Sequence, residues 1–325
     1  MPKKKPTWES DIARNETDAL LDDLEKRIKE EYSKAYEEIK AKADNYFQKF
    51  AEADEEKLAQ LKANEITEQQ YLQWRANQML SDKRYKELLN TISRDCVNAD
   101  KLAMQMVNDM LPDVFALNAN YAAFQIEQMT GIDTNFTLYD KKAASLLMKS
   151  DPDLLPIKST LKIAEDLRWN KRKLDSAILQ GVLQGNSIPD IADRLQNVIG
   201  MDSNSAIRSA RTMTTSAENA GRYDSYEHAA ESGIPVKVRW MATPDDRTRE
   251  SHRELDGEEI EVGGTFSNGC RYPGDPSGEP EEVYNCRCRL QRIVPGSFFS
   301  SRFYDQRHDT KIEGMSYEEW KRGKS

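Results

Sequence analysis

Cysteine and histidine are scarce in this chain, four and three among 325 residues. Four cysteines over that length do not make a disulfide scaffold, so the expectation is reduced thiols in an intracellular setting. No apolar run approaches the ~20 residues that span a bilayer. The opening Met-Pro-Lys-Lys-Lys-Pro is charged and has no apolar stretch behind it. A soluble chain without a signal peptide and without membrane contact is expected. Gly-rich phosphate loops, HExxH strings and nucleophile elbows are all missing, which removes the simplest routes to a nucleotide-binding enzyme, a zinc protease or a serine hydrolase. An excess of basic charge is missing too. The net charge of -9 argues against a dedicated nucleic-acid binder with a basic body.

What is present is charge of both signs and helical periodicity. With 32% charged and 38% hydrophobic residues, the composition is that of a helical, surface-rich protein. Its length gives room for two domains, since single cores stop growing at roughly 250 to 300 residues. From Thr17 onward Leu20, Leu21, Leu24, Ile28, Tyr32, Ile39, Ala43, Phe47 and Phe50 recur at three- and four-residue steps, which predicts an amphipathic helix. A polar stretch near 51–65 should break it. Thr67-Glu-Gln-Gln70 then fits a capping box. A helix from Ser81 to Met110 should stop before Pro112, and another from Val114 to Met129 should stop at Gly131. Cys96 falls on the apolar side of the first of these and reads as core. Short linkers favour an antiparallel hairpin or bundle.

The segment Asn135–Asp140 reads as a short strand or turn, and Asp151-Pro-Asp-Leu-Leu-Pro156 as a breaker at a domain boundary. A helix from Leu161 to Leu183 follows, then one capped by Ser187, then a long helix from Ser205 to Ser232 ended by Gly233 and Pro235. Arg208, Arg211, Thr212, Thr215, Glu218, Asn219 and Arg222 share related faces of that last helix. Such a stripe is either solvated or packed against the segment beyond it. Strands are expected at Val236–Met241, at Glu259–Val262 after the turn Asp256-Gly257, and at Arg287–Val294. The Asp residues of Thr243-Pro-Asp-Asp246 are candidate caps for a short helix carrying His252, and a long irregular loop should occupy 263–280.

The fold class expected is therefore α+β: a mainly helical N-terminal half of long amphipathic helices, then a module of helix plus small antiparallel sheet. Its parts are a flexible basic N-terminus (1–16), a helical hairpin or bundle (17–150), the mixed module (151–294) and a basic aromatic tail (295–325).

Chemistry-bearing residues concentrate between Trp240 and Leu290, which holds three of the four cysteines. His252, Cys270, Cys286 and Cys288 form the one group with the thiolate and imidazole donors that zinc takes. The alternative is structural, with His252 hydrogen-bonded to Asp246 or Asn285 and the cysteines packed or disulfide-linked. Either no cofactor or a zinc ion is compatible with these residues. An enzymatic reading would use Asp246, His252 and Asn285 as a hydrolase or nuclease centre, or Arg211 and Glu218 in a transferase. Nothing in the spacing supplies the rest of such a site, and catalysis is not expected. From Asn285 to the end, nine Arg or Lys face five acids. Arg302, Arg307, Lys311, Lys321 and Arg322, with Lys3 to Lys5, are the residues that would touch DNA phosphates. Phe298, Phe299, Phe303, Tyr304 and Trp320 interleave with the tail cations and could instead anchor the tail to the body.

Several strings together resemble one family: Arg211-Thr-Met-Thr-Thr-Ser-Ala-Glu-Asn-Ala-Gly-Arg222, Trp240 with Asp246-Arg247-Thr248-Arg249-Glu-Ser-His252, Leu255-Asp256-Gly257, Pro273-Gly-Asp275, and Asn285-Cys286-Arg287-Cys288. In order and spacing they are similar to the phage head morphogenesis domain, also called the phage Mu protein F-like or minor head protein family, over 161–294. The resemblance implies a minor capsid protein of a tailed bacteriophage, present in few copies inside the head and associated with the portal vertex during procapsid assembly. Portal, major capsid and scaffolding proteins and packaged double-stranded DNA are the partners it implies. It places the protein in the virion, and in the host cytoplasm during assembly.

Overall fold

The computed structural model describes residues 11–81, 83–151, 154, 163–184, 186, 188–294 and 316–324. Helix α1 runs from Ile12 to Lys62. It passes through the polar stretch expected to break it, because residues 51–62 are almost all Ala, Glu, Lys, Leu and Gln, which are strong helix formers. The break falls at Asn64, left-handed at φ 58°. There the Glu65 N–H returns to the Gln60 carbonyl at 2.9 Å, a Schellman-type closure. The capping box then forms as read: Thr67 N–H donates to Gln70 Oε1 at 2.9 Å, and Gln70 N–H donates to Thr67 Oγ1 at 3.2 Å. It starts α2, Glu68–Ser81.

Two expected interruptions do not occur. Helix α3 is continuous from Lys83 to Thr130 with Pro112 inside it. The proline gives up one backbone donor, but Leu111, Val114 and Phe115 beside it are buried to within 1%, and their burial keeps the helix running through. Helix α4 spans Lys141–Ser150, with Asp140 Oδ1 accepting the Ala143 N–H at 2.7 Å. No strand forms over 135–140. Helix α5 covers Ile163–Leu183. Helix α6 is one element from Ile188 to Glu231 where two were expected. Gly200, inside it, meets no neighbour, and the roughly 1 kcal/mol a helical glycine costs is offset by burial of Val198, Ile199 and Ile207. The Ser187 cap and the 152–153 and 155–156 parts of the breaker lie outside the described residues.

The remaining elements are short: β1 Lys237–Met241, α7 Glu250–Glu254, β2 Glu259–Glu261, α8 Pro280–Val283, β3 Arg289–Ile293 and α9 Tyr317–Lys324. The strands form an antiparallel sheet in the order β2-β1-β3, with Val238 opposite Ile260 and Arg292, and Trp240 opposite Leu290. The α+β expectation holds. Helix α8 begins where the expected 263–280 loop ends, in a stretch to which no element was assigned. Helix α7 has Arg249 at its N-cap without a side-chain bond, so neither Asp245 nor Asp246 caps it. No helix among the described residues is long and apolar enough to cross a membrane.

The chain divides into two compact units, and α1, α3 and α6 contribute residues to both. One unit draws on Glu25–Met106 and Ser159–Ile207. Its buried residues include Ile28, Ile39 and Phe47 of α1, Tyr85, Ile92 and Cys96 of α3, Leu174 and Ile178 of α5, and Ile191 of α6. Cys96 is core, as its position implied, and burial pushes its thiol up to about 12. Tyr85 donates to Asp175 at 2.8 Å, satisfying a buried hydroxyl.

The other unit draws on Met1–Leu24, Val107–Lys158 and Arg208–Ser325. Its core runs along an alanine-rich face of α3 (Ala116, Ala119, Ala122, Ala123), across Ala220, Tyr223 and Tyr226 of α6, to Val238, Trp240 and Leu290 of the sheet. Small residues let α3 and α6 approach closely. A Cβ on Gly221 would collide with the Phe115 carbonyl oxygen, and Ser225 Oγ donates to the Ala119 carbonyl at 2.7 Å.

Candidate functional site

The polar stripe on α6 is packed, not solvated, over its second half. Thr212, Glu218, Asn219 and Arg222 are at most 4% exposed, whereas Arg208 and Arg211 are exposed. Asn219 sits at the centre. Its amide nitrogen lies 3.0 Å from the Thr215 carbonyl, 2.9 Å from Pro273 and 3.1 Å from Cys288, and its oxygen accepts the Leu290 N–H at 2.9 Å. One side chain thus joins α6, the Pro273 loop and the start of β3. Thr212 Oγ1 accepts the Asn285 N–H at 3.0 Å, fixing the turn before the Cys-x-Cys pair, where Asn285 is left-handed at φ 59°.

Each of the other strings has a local physical task. Gly274 takes φ 83° and brings the loop so close that a Cβ there would stand 3.2 Å from the Ser216 backbone. Next to it the fully buried Asp275 accepts both Arg271 N–H (2.8 Å) and the Arg271 guanidinium (2.9 Å), which holds its carboxyl below the usual range despite burial. Asp256 Oδ1 accepts the Ala242 N–H at 2.9 Å, and Gly257, at φ 87°, donates to the Trp240 carbonyl at 2.9 Å. Thr248 Oγ1 donates to the Thr243 carbonyl at 2.5 Å. Arg249 donates to the Tyr284 carbonyl at 2.5 Å. Arg287 makes a two-point pair with Asp245, at 2.5 and 2.6 Å, which holds the Asp245 carboxyl well below its usual range. Asp246 and Arg247 are exposed.

Beneath this clasp lies a buried ionic cluster that the sequence does not reveal. Glu218 Oε2 is 3.0 Å from Arg14 Nη1, and its Oε1 is 3.5 Å from both Arg222 and Arg289. Arg222 also pairs with Asp11 at 2.8 Å and donates to Asn118 at 3.1 Å. Asn118 in turn donates to Thr17 Oγ1 at 2.9 Å. Arg14 also pairs with Asp18 at 2.6 Å, so three guanidinium groups share three carboxylates. Burial, and after it the neighbouring arginines against the pull of Glu218, brings Arg289 down to about 10. Residues about 200 positions apart meet here, and only the acid and base identities along α6 hinted at it.

The sheet end of the same unit brings three of the four candidate zinc ligands together. His252 Nδ1 is 3.3 Å from Cys288 Sγ and 3.7 Å from Cys286 Sγ, and all three side chains are at most 2% exposed. The three donor atoms lie within 4.8 Å of one another. Cys270 is not one of this group. It is buried where Gly278 leaves room, since a Cβ on Gly278 would collide with its sulfur, and burial pushes its thiol up to about 12. All four cysteines are unbridged. His252 does not pair with Asp246 or Asn285: its Nε2 stands 3.0 Å from Glu282 Oε2, out of line for a hydrogen bond. Glu282 is held by Ser251 Oγ at 3.0 Å and Asn268 Nδ2 at 3.1 Å. Burial raises the Cys286 thiol, whereas donation from Cys286 and the nearby imidazole lower that of Cys288. Trp240 packs edge-on against His252, with ring centroids 5.1 Å apart. The sequence reading missed Glu282; its one signal is an acid four residues before Cys286.

At the C-terminus, α9 docks through aromatic residues. Trp320 Nε1 donates to Glu127 at 2.6 Å, Tyr317 packs on Tyr121 at 5.2 Å, and Lys324 reaches Glu127 at 3.0 Å. Trp320 therefore anchors the tail to the body. Lys321 lies beside Glu318 at 3.3 Å, and Arg322 is exposed. Lys3 to Lys5, Phe298, Phe299, Arg302, Phe303, Tyr304, Arg307 and Lys311 lie outside the described residues.

Comparison with known proteins places this geometry. Residues 172–291, from α5 to β3, match the family model of Phage Mu protein F like protein. Over 322 residues, 96% of this chain and 97% of the relative, the sequence is 25% identical to Minor head protein GP7 of Bacillus phage SPP1. It is 32% identical over 165 residues to a protein of Enterococcus faecalis named NAD(+)--arginine ADP-ribosyltransferase EFV, covering 50% of this chain and 33% of that one. An uncharacterized protein of Bacillus subtilis, YqbB, is 30% identical over 167 residues, 49% of each chain. No solved structure matches. The family model covers the part of the chain in which Asn219, the Pro273 loop and the Cys-x-Cys strand lock together, so residues 172–291 form a region similar to Phage Mu protein F like protein.

Proposed function

We propose that this chain is a non-enzymatic minor component of a phage head, built into the particle during procapsid assembly at the portal vertex. Similarity to the minor head family carries the coarser part, a role in head morphogenesis. The observation that carries the whole is the extent of the match to the SPP1 minor head protein: 96% of this chain, long N-terminal helices included, aligns with 97% of that protein. The family-model match alone spans 172–291. The buried polar residues of the Mu F-like part tie α6, the Pro273 loop and β3 together, which favours a fitting over a reagent. Co-sedimentation with the portal protein of the same phage tests the portal contact. Retention on portal assemblies is the expected result; failure to bind portal in any assembly state overturns it. Packaged DNA is a further proposed contact, through Lys321 and Arg322 on α9 and the tail cations before it. Phosphate contacts of this kind weaken steeply with salt, so binding that does not change as salt rises contradicts them.

A second reading, transferase activity, has the name of the Enterococcus relative behind it, although this chain spans a third of that protein. Glu218, the acid such a site would use, is 1% exposed and tied to Arg14, Arg222 and Arg289. Incubation with labelled NAD(+) and an arginine-rich acceptor protein should leave the acceptor unlabelled; stoichiometric labelling would replace the assembly reading with an enzymatic one.

A further inference from the structure

The buried thiol and imidazole group at the sheet end has the form of a metal site. We propose that His252 Nδ1, Cys286 Sγ and Cys288 Sγ bind one Zn2+ ion, with Glu282 as the carboxylate that orients the histidine. Neither the family match nor the names of the relatives assigns such a site, and the proposal stands whether or not the chain docks on a portal.

Three observations carry it. The first is spacing. Zn–S bonds of about 2.3 Å and Zn–N bonds of about 2.0 Å, at tetrahedral angles, put nitrogen and sulfur ligands about 3.5 Å apart. The two Nδ1–sulfur distances, 3.3 and 3.7 Å, bracket that value. The second is the outer shell. Zinc-bound histidines commonly turn their other ring nitrogen to a carboxylate, which sets the tautomer and the ring orientation. His252 Nε2 is a buried polar atom with no hydrogen bond, and the nearest carboxylate oxygen, Glu282 Oε2, is 3.0 Å away, close enough to accept from it after a small turn of the ring. Glu282 is itself held by Ser251 and Asn268. The third is the backbone. Cys288 N–H points at Cys286 Sγ at 3.4 Å, so a sulfur buried away from water has a donor that favours its thiolate form.

Charge explains why such a group tolerates burial. With both cysteines bound as thiolates, the set of two thiolates, one neutral imidazole and a divalent cation is neutral overall. A neutral set avoids the penalty of an uncompensated charge in a site where every ligand is at most 2% exposed. Among the described residues no fourth His, Cys, Asp or Glu joins the three, so the fourth position is left to a ligand outside this set. The consequence is mechanical. The ion would tie α7 to the Cys-x-Cys turn across a stretch of 34 residues whose regular structure is limited to β2 and α8.

The test uses the full chain, purified without chelator, saturated with zinc and exhaustively dialysed. Total metal should approach about one zinc per chain. Replacement by Co2+ should give a thiolate-to-cobalt charge-transfer band in the near ultraviolet and visible bands of tetrahedral intensity. Cys286→Ser and Cys288→Ser should each remove the charge-transfer band or halve it, Cys96→Ser and Cys270→Ser should leave it unchanged, and Glu282→Gln should weaken zinc binding by about 10- to 100-fold. A folded wild-type chain that retains no zinc and gives no band with Co2+ overturns the proposal, as does a band lost with Cys270 instead of Cys286 and Cys288. If the serine variants do not fold, the wild-type stoichiometry and cobalt spectrum decide it alone.

Discussion

The side-chain oxygen of Asn219, on α6, accepts the backbone N–H of Leu290, on β3, at 2.9 Å, while its amide nitrogen faces the carbonyls of Pro273 and Cys288. A side chain with no exposed surface thus supplies hydrogen bonds that the strand and loop would otherwise lack.

Replacing Asn219 by Ala strands a buried N–H and two buried carbonyls at once. Each orphaned group costs about 1 to 3 kcal/mol, so Asn219→Ala should lower unfolding stability by roughly 3 kcal/mol or more. Chemical denaturation measures this directly. A change under about 0.5 kcal/mol, the range of ordinary surface substitutions, would mean that the clasp contributes nothing.

Glu218 is the carboxylate common to Arg14, Arg222 and Arg289, with Asp11 beside Arg222 and Asp18 beside Arg14. Glu218→Gln should therefore destabilise by about 3 to 5 kcal/mol, the usual consequence of leaving a buried charge unpaired. Adding Arg289→Met to that variant removes the cation that faces Glu218 and should recover part of the loss. Additive destabilisation in the double variant would show that the groups are not coupled.

Asp224 gives a pH signature. Burial raises its carboxyl to about 6, against the lowering effect of the Tyr139 hydroxyl bonded to it. Because the folded value lies above the unfolded value of about 3.9, this residue's contribution is complete at low pH and is lost as pH rises through about 6. Asp224→Asn should be near neutral at low pH and should stabilise the protein above neutrality by roughly 1 kcal/mol, allowing for partial exposure. Denaturant titrations across that range that stay parallel to wild type would contradict the assignment.

Legibility in the sequence follows how local each cause is. The Thr67 capping box, the ends at Gly131 and Gly233 and the turn at Asp256-Gly257 were readable because each is set by a few neighbouring residues. Helix periodicity was readable for the same reason. Continuity through Pro112 and Gly200 was not, because those helices are held by burial that the local code does not contain. At the site, the strings from Arg211 to Cys288 could be recognised and the α6 stripe could be seen to be polar. That Arg14 and Asp11 would close over Glu218 and Arg222 depends on chain segments about 200 residues distant. Glu282 was hidden for another reason: no element was assigned between the expected loop ending at 280 and the strand from Arg287, so nothing fixed which way the acids of α8 face.

The claim that organises the rest is that this chain is part of a phage head. Quantitative mass spectrometry of heads purified from the phage that carries it tests this most directly. The chain should be recovered with the particles, in far fewer copies than the major capsid protein, and should be reduced in heads assembled with Asn219→Ala. Complete heads that contain none of it would contradict the account.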